Sequence, residues 1–189
     1  MPEKLTLDEQ TILLHLAREA IERGIRGEEL PLLDPASLPA SLREEGSSFI
    51  TLTARGKLRG CIGSLDAYQS LAEDVREHAV AAALRDPRFP PLREDELNEI
   101  QIEVSRLTRP VPLQYMDADD LLSRLRPHVD GIILRDDSHR ATFLPQVWEK
   151  ISDPAEFLNN LCYKMGLEPD LWRREHLEVL TYEVEEFHE

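Results

Sequence analysis

Hydrophobic positions recur every three or four residues near the start of the chain, which is the period of an amphipathic α-helix. The apolar stripe runs through Leu7–Arg23. Thr6 and Glu9 have the spacing of a capping box, in which each side chain bonds to the other residue's backbone N–H. Gly24 is a suitable end for this helix. The next stretch, Ile25–Gly46, contains several prolines and predicts an irregular segment with at most short helical turns.

A period of two follows and predicts β-strands. Ser48–Ala54 and Leu58–Ile62 are expected to form antiparallel partners joined by a turn at Arg55-Gly56-Lys57. Leu58, Gly60 and Ile62 would then share one face of their strand, with Arg59 and Cys61 on the other. The further predicted strands are Ile100–Leu107, a second hairpin of Gly131–Arg135 and Arg140–Leu144, and a final strand Leu177–Phe187.

Helical patterns lie between the predicted strands. One helix covers about Gln69–Arg85 and ends at Asp86-Pro87, because a residue before proline avoids helical backbone. Another begins after Asp153, where a capping residue, a first-turn proline and a carboxylate stand in helix-start order, and Gly166 closes it. Shorter helical segments are predicted at Asp117–Arg124 and from Pro145 onwards.

These elements predict an α+β fold, with antiparallel sheet flanked by helices. No low-complexity segment or obvious linker divides residues 1–189, so we expect one two-lobed unit of two interlocked subdomains with a cleft. A hairpin followed by a helix occurs at Phe49–Arg85 and again at Gly131–Trp148. Residue identity between the two is weak, so this is at most a pseudo-repeat.

The charge of the chain changes the picture of its partners. A net charge of −15 disfavours phosphate backbones and anionic membrane surfaces, which need Lys and Arg on the protein. Nucleic acid and membrane are therefore not expected as partners. The net charge does not exclude a local basic pocket on this acidic protein.

The two cysteines, Cys61 and Cys162, are far apart and form neither a disulfide framework nor a close metal-binding pair. Sparse thiols fit a reducing compartment. The start, Met1–Lys4, lacks the apolar core of a signal peptide, and no apolar run is long enough to span a bilayer. The predicted location is the cytoplasm.

The segment Leu58-Arg59-Gly60-Cys61-Ile62-Gly63-Ser64 is the strongest candidate for a site. Two glycines bracket a thiol, and glycine lets a backbone or a ligand approach closely. The chain then leads towards the start of the Gln69–Arg85 helix, whose positive end would attract an anion near Arg59. A thiol in such positive surroundings is a better nucleophile. Arg59, Gly60, Gly63 and Ser64 are therefore candidate ligand-binding residues, and Cys61 is a candidate catalytic residue.

A structural interpretation of the same segment stays open. Buried cysteine is common and usually inert, and glycines in a strand often mark a bulge or tight packing. No glycine-rich phosphate-binding signature is present.

Three residues outside this segment are further candidates. Arg88 would bind a ligand at the mouth of the cleft, or simply follow a helix stop. Glu103 would act as a base if it is partly desolvated, or else lie on a solvated sheet face. Gln146 would bind a ligand through its amide, or bond to backbone. Lys164 would be a cation of the site, or simply suit the negative end of a helix. Cys162 lies on an apolar helix face, so a core position is preferred for it.

The six histidines are scattered without the spacing of a zinc site, so no metal is predicted. The sequence does not identify a cofactor. It also does not decide whether the protein is an enzyme, because no complete catalytic set can be assembled by spacing.

The segment Leu58–Ser64 is similar to the signature of the AMMECR domain family, known in microbes as AmmeMemoRadiSam system protein A. The resemblance runs through nearly the whole chain. It continues in the segments Asp86-Pro87-Arg88-Phe89, Glu103-Val104-Ser105, Gly131-Ile132-Ile133, Leu144-Pro145-Gln146-Val147-Trp148 and Cys162-Tyr163-Lys164-Met165-Gly166-Leu167.

The resemblance implies a two-lobed α+β fold with a cleft near the signature. It also implies Memo-type and radical SAM proteins as partners. Some relatives carry His-Gly where this chain has Asp130-Gly131, so no role of that histidine is carried over, and His128 is not assumed to replace it. Two hypotheses follow: a cleft that binds a small anionic molecule, or a non-catalytic adaptor.

Overall fold

The computed structural model describes residues 4–189. Met1–Glu3, on which part of the signal-peptide prediction rests, lie outside the described residues. The chain divides into two compact units. The first contains residues 4–107 and the C-terminal Glu185–Glu189, and the second is Thr108–Val184. Within the described residues, no helix has the length and apolar character needed to cross a membrane.

The predicted α+β class with antiparallel sheet is confirmed. The α-helices are α1 Leu7–Ile25, α2 Ala40–Arg43, α3 Leu71–Leu84, α4 Ala118–Arg124, α5 Pro154–Lys164 and α6 Leu171–Arg174. The strands are β1 Ser47–Ala54, β2 Lys57–Gly63, β3 Ile100–Leu107, β4 Val111–Pro112, β5 Gly131–Arg135, β6 Arg140–Phe143, β7 Glu178–Tyr182 and β8 Val184–His188. Short 3-10 helices are Pro35–Ser37, Glu94–Glu96 and Pro145–Glu149.

The first unit is built on a four-stranded sheet with the order β2-β1-β3-β8. Helices α1 and α3 supply the apolar residues that pack with one face of this sheet in a single core. Ile50 and Leu52 of β1 point into that core, as do Ile102 and Val104 of β3. The alternating residues therefore lie on the other face, as the period of two predicts.

The second unit has a sheet with the order β4-β7-β5-β6. Its core centres on Trp148 and Phe157, whose rings stack with centroids 3.7 Å apart. Gly131 is needed in this sheet, because an added Cβ there would lie 2.3 Å from the ring of Tyr182.

The capping box of Thr6 and Glu9 is confirmed. The prediction that Gly24 ends α1 is wrong, because the helix continues to Ile25 and the left-handed backbone falls on Gly27. Gly24 instead packs against α3, since an added Cβ would lie 3.3 Å from Val80. A glycine inside the pattern was therefore a packing position rather than a helix end.

The prediction of one final strand over Leu177–Phe187 is wrong, because β7 and β8 belong to different sheets. The strands part at Glu183, whose N–H donates to the Thr108 hydroxyl and whose carbonyl accepts from the Thr108 N–H. Alternation in the sequence reveals an extended chain, but it does not reveal that the chain changes its partner strand.

Candidate functional site

Strand β2 contains a β-bulge within the candidate segment. Gly60 is opposite Leu52 of β1, whereas Leu58 is opposite Thr53, so Arg59 is the extra residue on β2. A bulge bends its strand and redirects side chains, and bulges are frequent next to functional sites.

The bulge changes which residues share a face. Cys61 is opposite Thr51 and Leu58 is opposite Thr53, and these two threonines lie on the same side of β1. Leu58 therefore lies on the face of Cys61. The prediction that it shares a face with Gly60 is wrong, because it assumed regular alternation through Arg59.

Cys61 belongs to a row of polar side chains across three strands. Thr51 is the direct neighbour of Cys61 on one side and of Glu103 on the other. The thiol is half-buried, and its Sγ lies 3.4 Å from the hydroxyl of Thr51. The structure thus brings the two predicted catalytic candidates, Cys61 and Glu103, onto one sheet face with a hydroxyl between them.

The edge of β2 is covered at Cys61 by the side chains of the segment after α3. The Cys61 N–H donates to Asp86 Oδ2 at 2.9 Å, and the Cys61 carbonyl accepts from the Arg88 guanidinium at 3.1 Å. These are the two backbone groups that a further strand would bind. Asp86 and Arg88 therefore occupy this edge at the thiol in place of another strand.

Asp86 and Arg88 form a salt bridge of 2.6 Å between Oδ2 and the guanidinium. Arg88 also holds Asp86 Oδ1 through its backbone N–H at 3.0 Å and its Nε at 2.9 Å. The side chain of Asp86 is 2% exposed, whereas that of Arg88 is 54% exposed. The hydrogen bonds from Arg88, together with the Cys61 N–H, hold the pKa of Asp86 far below its usual range.

The Arg88 guanidinium donates to the carbonyl of Cys61, the residue that carries the thiol. The pKa of Arg88 is raised chiefly by its bond to Asp86, and the proximity of Cys61 raises it further. A partly exposed thiol beside a fixed positive charge is the usual setting of a reactive cysteine. Cys61, Thr51, Asp86 and Arg88 together are called the thiol site below.

Arg59 has different surroundings from those expected. Its guanidinium forms two bonds with Glu96, of 2.9 and 3.1 Å, and a third of 3.0 Å with the carbonyl of Pro90. The Arg59 side chain is only 12% exposed, and the bond to Arg59 is the first cause that lowers the pKa of Glu96. Arg59 thus ties the bulge to the segment before β3, and its role as an anion anchor stays a prediction.

The two glycines of the segment are required by close packing. An added Cβ on Gly60 would lie 2.2 Å from the Ala82 carbonyl, and one on Gly63 would lie 2.4 Å from the ring of Phe49. Ala82 is in the last turn of α3, so the expectation that the positive end of this helix faces Arg59 is wrong. Strand β2 and helix α3 run in opposite directions, and Arg59 lies towards the negative helix end.

Ser64 and Gln146 are two further residues predicted to bind a ligand. The Ser64 hydroxyl bonds within its own turn, donating to the Asp66 carbonyl and accepting from the Asp66 N–H. Gln146 is exposed in the 3-10 helix Pro145–Glu149 of the second unit. The ligand-binding roles of both residues stay predictions.

Thr51 and Asp86 are the members of the thiol site that sequence reasoning missed. Asp86 stands in an Asp-Pro-Arg sequence, which favours a turn closed by the aspartate side chain, and this signal could have placed Arg88 on it. Thr51 could have been found from the pairing of the two predicted strands, had the bulge been known.

A cavity of about 200 Å³ lies elsewhere in the first unit, and none of the predicted site residues lines it. Its walls are Lys4, Leu5, Thr6, Glu9, Ser41 and Arg106. Over residues 4–189, no group of three or more His, Cys, Asp or Glu side chains is arranged to hold a metal ion.

Three further residues of the second unit that the sequence analysis discussed have structural partners. Asp130 is 1% exposed and accepts from the backbone and guanidinium of Arg126. Cys162 is fully buried, and burial raises the pKa of its thiol. The Lys164 ammonium donates to the Thr142 carbonyl at 2.8 Å and lies over the ring of Phe143.

The protein is an α+β protein with two antiparallel sheets. Its edge strand β2 carries Cys61, whose backbone N–H and carbonyl bind Asp86 and Arg88. The AMMECR1 family model matches residues 14–187, and the chain belongs to this family. The resemblance seen in the sequence is thereby confirmed.

Relatives of the chain come from methanogenic and other archaea. A protein of Methanothermobacter thermautotrophicus is 40% identical over 186 residues, which are 98% of this chain and 96% of that protein. A protein of Methanopyrus kandleri is 40% identical over 197 residues, with 100% of this chain and 92% of that protein covered.

The crystal structure of an uncharacterised protein from Pyrococcus horikoshii has the same fold, with a TM-score of 0.80 and 32% identity. The match covers 99% of this chain and 94% of that one. Family membership therefore establishes the fold, and the chemistry has to be argued from the thiol site.

Proposed function

We propose that this protein binds a small anionic molecule at the thiol site. The observation that carries the proposal is the half-exposed guanidinium of Arg88, which is held by Asp86 and donates to the backbone carbonyl of Cys61, a residue whose side chain is half-buried. Arginine suits this role because its planar, permanently charged group binds carboxylates and phosphates through several donors. The fixed position matters as well, because Asp86 holds Arg88 before any ligand arrives.

A comparison of the two arginines of the motif segments favours Arg88 as the anion contact. Arg59 directs its guanidinium into Glu96 and the Pro90 carbonyl, and only 12% of its side chain is exposed. Arg88 leaves 54% of its side chain to solvent. In a chain with a net charge of −15, an anion needs such a local positive group, because the overall field repels it.

The neighbouring side chains define what the site would do for a ligand. Thr51 offers a hydroxyl that can donate or accept, next to the thiol. Glu103 places a carboxylate on the far side of Thr51, so the negative end of a ligand would lie towards Arg88 and away from Glu103. The proposal is one of binding, with the Cys61 thiol in contact with the bound molecule.

Mass spectrometry of small molecules retained by the native protein tests the proposal. We expect an acidic compound that is lost in Arg88→Gln and kept in Arg126→Gln. Arg126 is the matched control, since it is also 54% exposed and pairs with a buried aspartate. Arg59→Gln in the same assay tests the anion anchor predicted from the sequence. Retention of the compound by Arg88→Gln would contradict the proposal.

The alternative proposal is a non-catalytic adaptor that acts with Memo-type and radical SAM proteins. The observation that favours it is the internal use of the signature, because Arg59, Gly60 and Gly63 all serve packing or pairing within the first unit. Pull-down with both partner proteins separates the proposals. An adaptor should capture a partner in wild type and in Arg88→Gln alike, and capture of neither partner would count against it.

A further inference from the structure

A second polar cluster lies on the opposite face of the first sheet, between β1 and α3. The Ser48 hydroxyl donates to Asp74 Oδ2 at 2.6 Å, and His78 Nδ1 lies 3.1 Å from the same oxygen. Ser48 and Asp74 are 0% exposed and His78 is 6% exposed. Asp74 and His78 are one helical turn apart on α3, so both reach β1 from the same side of the helix.

The carboxylate of Asp74 is used unevenly. Oδ2 has both partners, whereas Oδ1 is buried and has no hydrogen-bond partner among residues 4–189. A buried acceptor without a donor is costly, and folded proteins almost always satisfy such atoms with a protein group or an ordered water. Asp130 in the second unit shows the satisfied case, with protein donors on both oxygens.

We propose that Asp74 Oδ1 is the acceptor of a buried site for one water molecule. The water donates one hydrogen to Oδ1. Its second partner is the Ser48 hydroxyl, which keeps acceptor capacity after donating to Oδ2. A metal ion fits the cluster less well, because it holds no third His, Cys, Asp or Glu ligand over the described residues.

The site has a consequence for the signature segment that does not depend on the proposed function. The Ser48 carbonyl accepts from the Ser64 N–H at 3.1 Å, just where the signature ends. Asp74 holds the side chain of the same serine from α3. Ser48 and Asp74 therefore tie the C-terminal end of the signature segment to the first turns of α3.

A crystal structure of the full chain, at a resolution that shows ordered waters, tests the proposal. We expect a density peak about 2.6–3.2 Å from Asp74 Oδ1. Asp130, with both oxygens bonded by protein, is the internal control and should have no buried peak. A protein donor on Asp74 Oδ1, or an Oδ1 surrounded only by apolar atoms without density, would overturn the proposal.

Two variants extend the test to solution. Asp74→Asn keeps an acceptor for Ser48 and a polar group for the water, so it should retain the peak. Asp74→Leu is close in size but binds neither, so we expect it to lose the peak and to exchange the Ser64 amide hydrogen about tenfold faster. Unchanged exchange in a folded Asp74→Leu would overturn the tie, and if that variant fails to fold, the wild-type density and Asp74→Asn still decide.

Discussion

Each unit of the molecule places a half-exposed arginine on a buried aspartate beside its hairpin. In the first unit Arg88 pairs with Asp86, and in the second Arg126 pairs with Asp130. In both pairs the arginine side chain is 54% exposed and the aspartate side chain is 2% exposed. Equal burial and equal residue types make the remaining differences between the two pairs informative.

The pairs differ in what else they touch. Among residues 4–189, the Asp130 carboxylate accepts only from Arg126. Arg126 makes a second salt bridge with Glu183, so its one positive charge faces two carboxylates. Asp86 and Arg88 instead reach across to β2 and bind both backbone groups of Cys61. The charge of Arg126 is therefore neutralised by two carboxylates, whereas Arg88 faces one carboxylate and donates to Cys61.

The largest effect is expected from a variant that disrupts the packing of β2 against α3. Gly60→Ala should lower the free energy of unfolding by about 3 kcal/mol, because the added Cβ meets the Ala82 carbonyl, and backbone cannot move aside like a side chain. Gly56→Ala is the control in the same hairpin. It has a positive φ but open space, so about 1 kcal/mol is expected. Urea unfolding measures both, and equal losses would contradict the packing role of Gly60.

The next prediction separates the two aspartates. Asp130→Ala should cost about 2 kcal/mol, because it leaves the Arg126 backbone N–H without its acceptor. It should leave the alkylation rate of Cys61 unchanged. Asp86→Ala should also lower the urea midpoint, but it removes the acceptor of the Cys61 N–H and the anchor of Arg88, so that rate should change. If both variants leave Cys61 unaffected, the proposed difference between the pairs is wrong.

A smaller effect concerns acid stability. The folded pKa of Asp86 is depressed, so its contribution to stability is present above the unfolded pKa of about 3.9 and is lost as the pH falls below that value. Urea midpoints should therefore drop between about pH 5 and pH 2 in wild type, and drop less in Asp86→Asn. An equal drop of the urea midpoint in the two proteins would contradict the lowered pKa of Asp86.

Much of the fold was predictable because it rests on local patterns. The capping box of Thr6 and Glu9, the strand Ile100–Leu107 and the turn at Arg55-Gly56 follow from residue spacing alone. The bulge at Arg59 was not predictable, since it depends on how two strands pair. One displaced residue was enough to move Leu58 to the other face.

The sequence predicted the central residues of the candidate site, but it did not predict which side chains contact them. The residue types of the signature pointed to Cys61 and Arg59. The proposal of Arg88 rather than Arg59 as the anion contact depends on two contacts: Arg59 binds Glu96, and Arg88 donates to the Cys61 carbonyl. These contacts join residues 37 and 27 positions apart, and spacing along the chain does not encode such contacts.

The central claim is that Arg88 presents a positive charge to molecules that meet Cys61. The most direct measurement is the ratio of Cys61 alkylation rates with iodoacetate and iodoacetamide, located by peptide mass spectrometry. Both reagents lose iodide to the same thiolate, so the ratio cancels the thiolate fraction and reports attraction of the anionic reagent. We expect Arg88→Gln to lower this ratio by about threefold, as for an exposed charge pair, and Arg126→Gln to leave it unchanged. An unchanged ratio in Arg88→Gln, or an equal fall in Arg126→Gln, would contradict the claim.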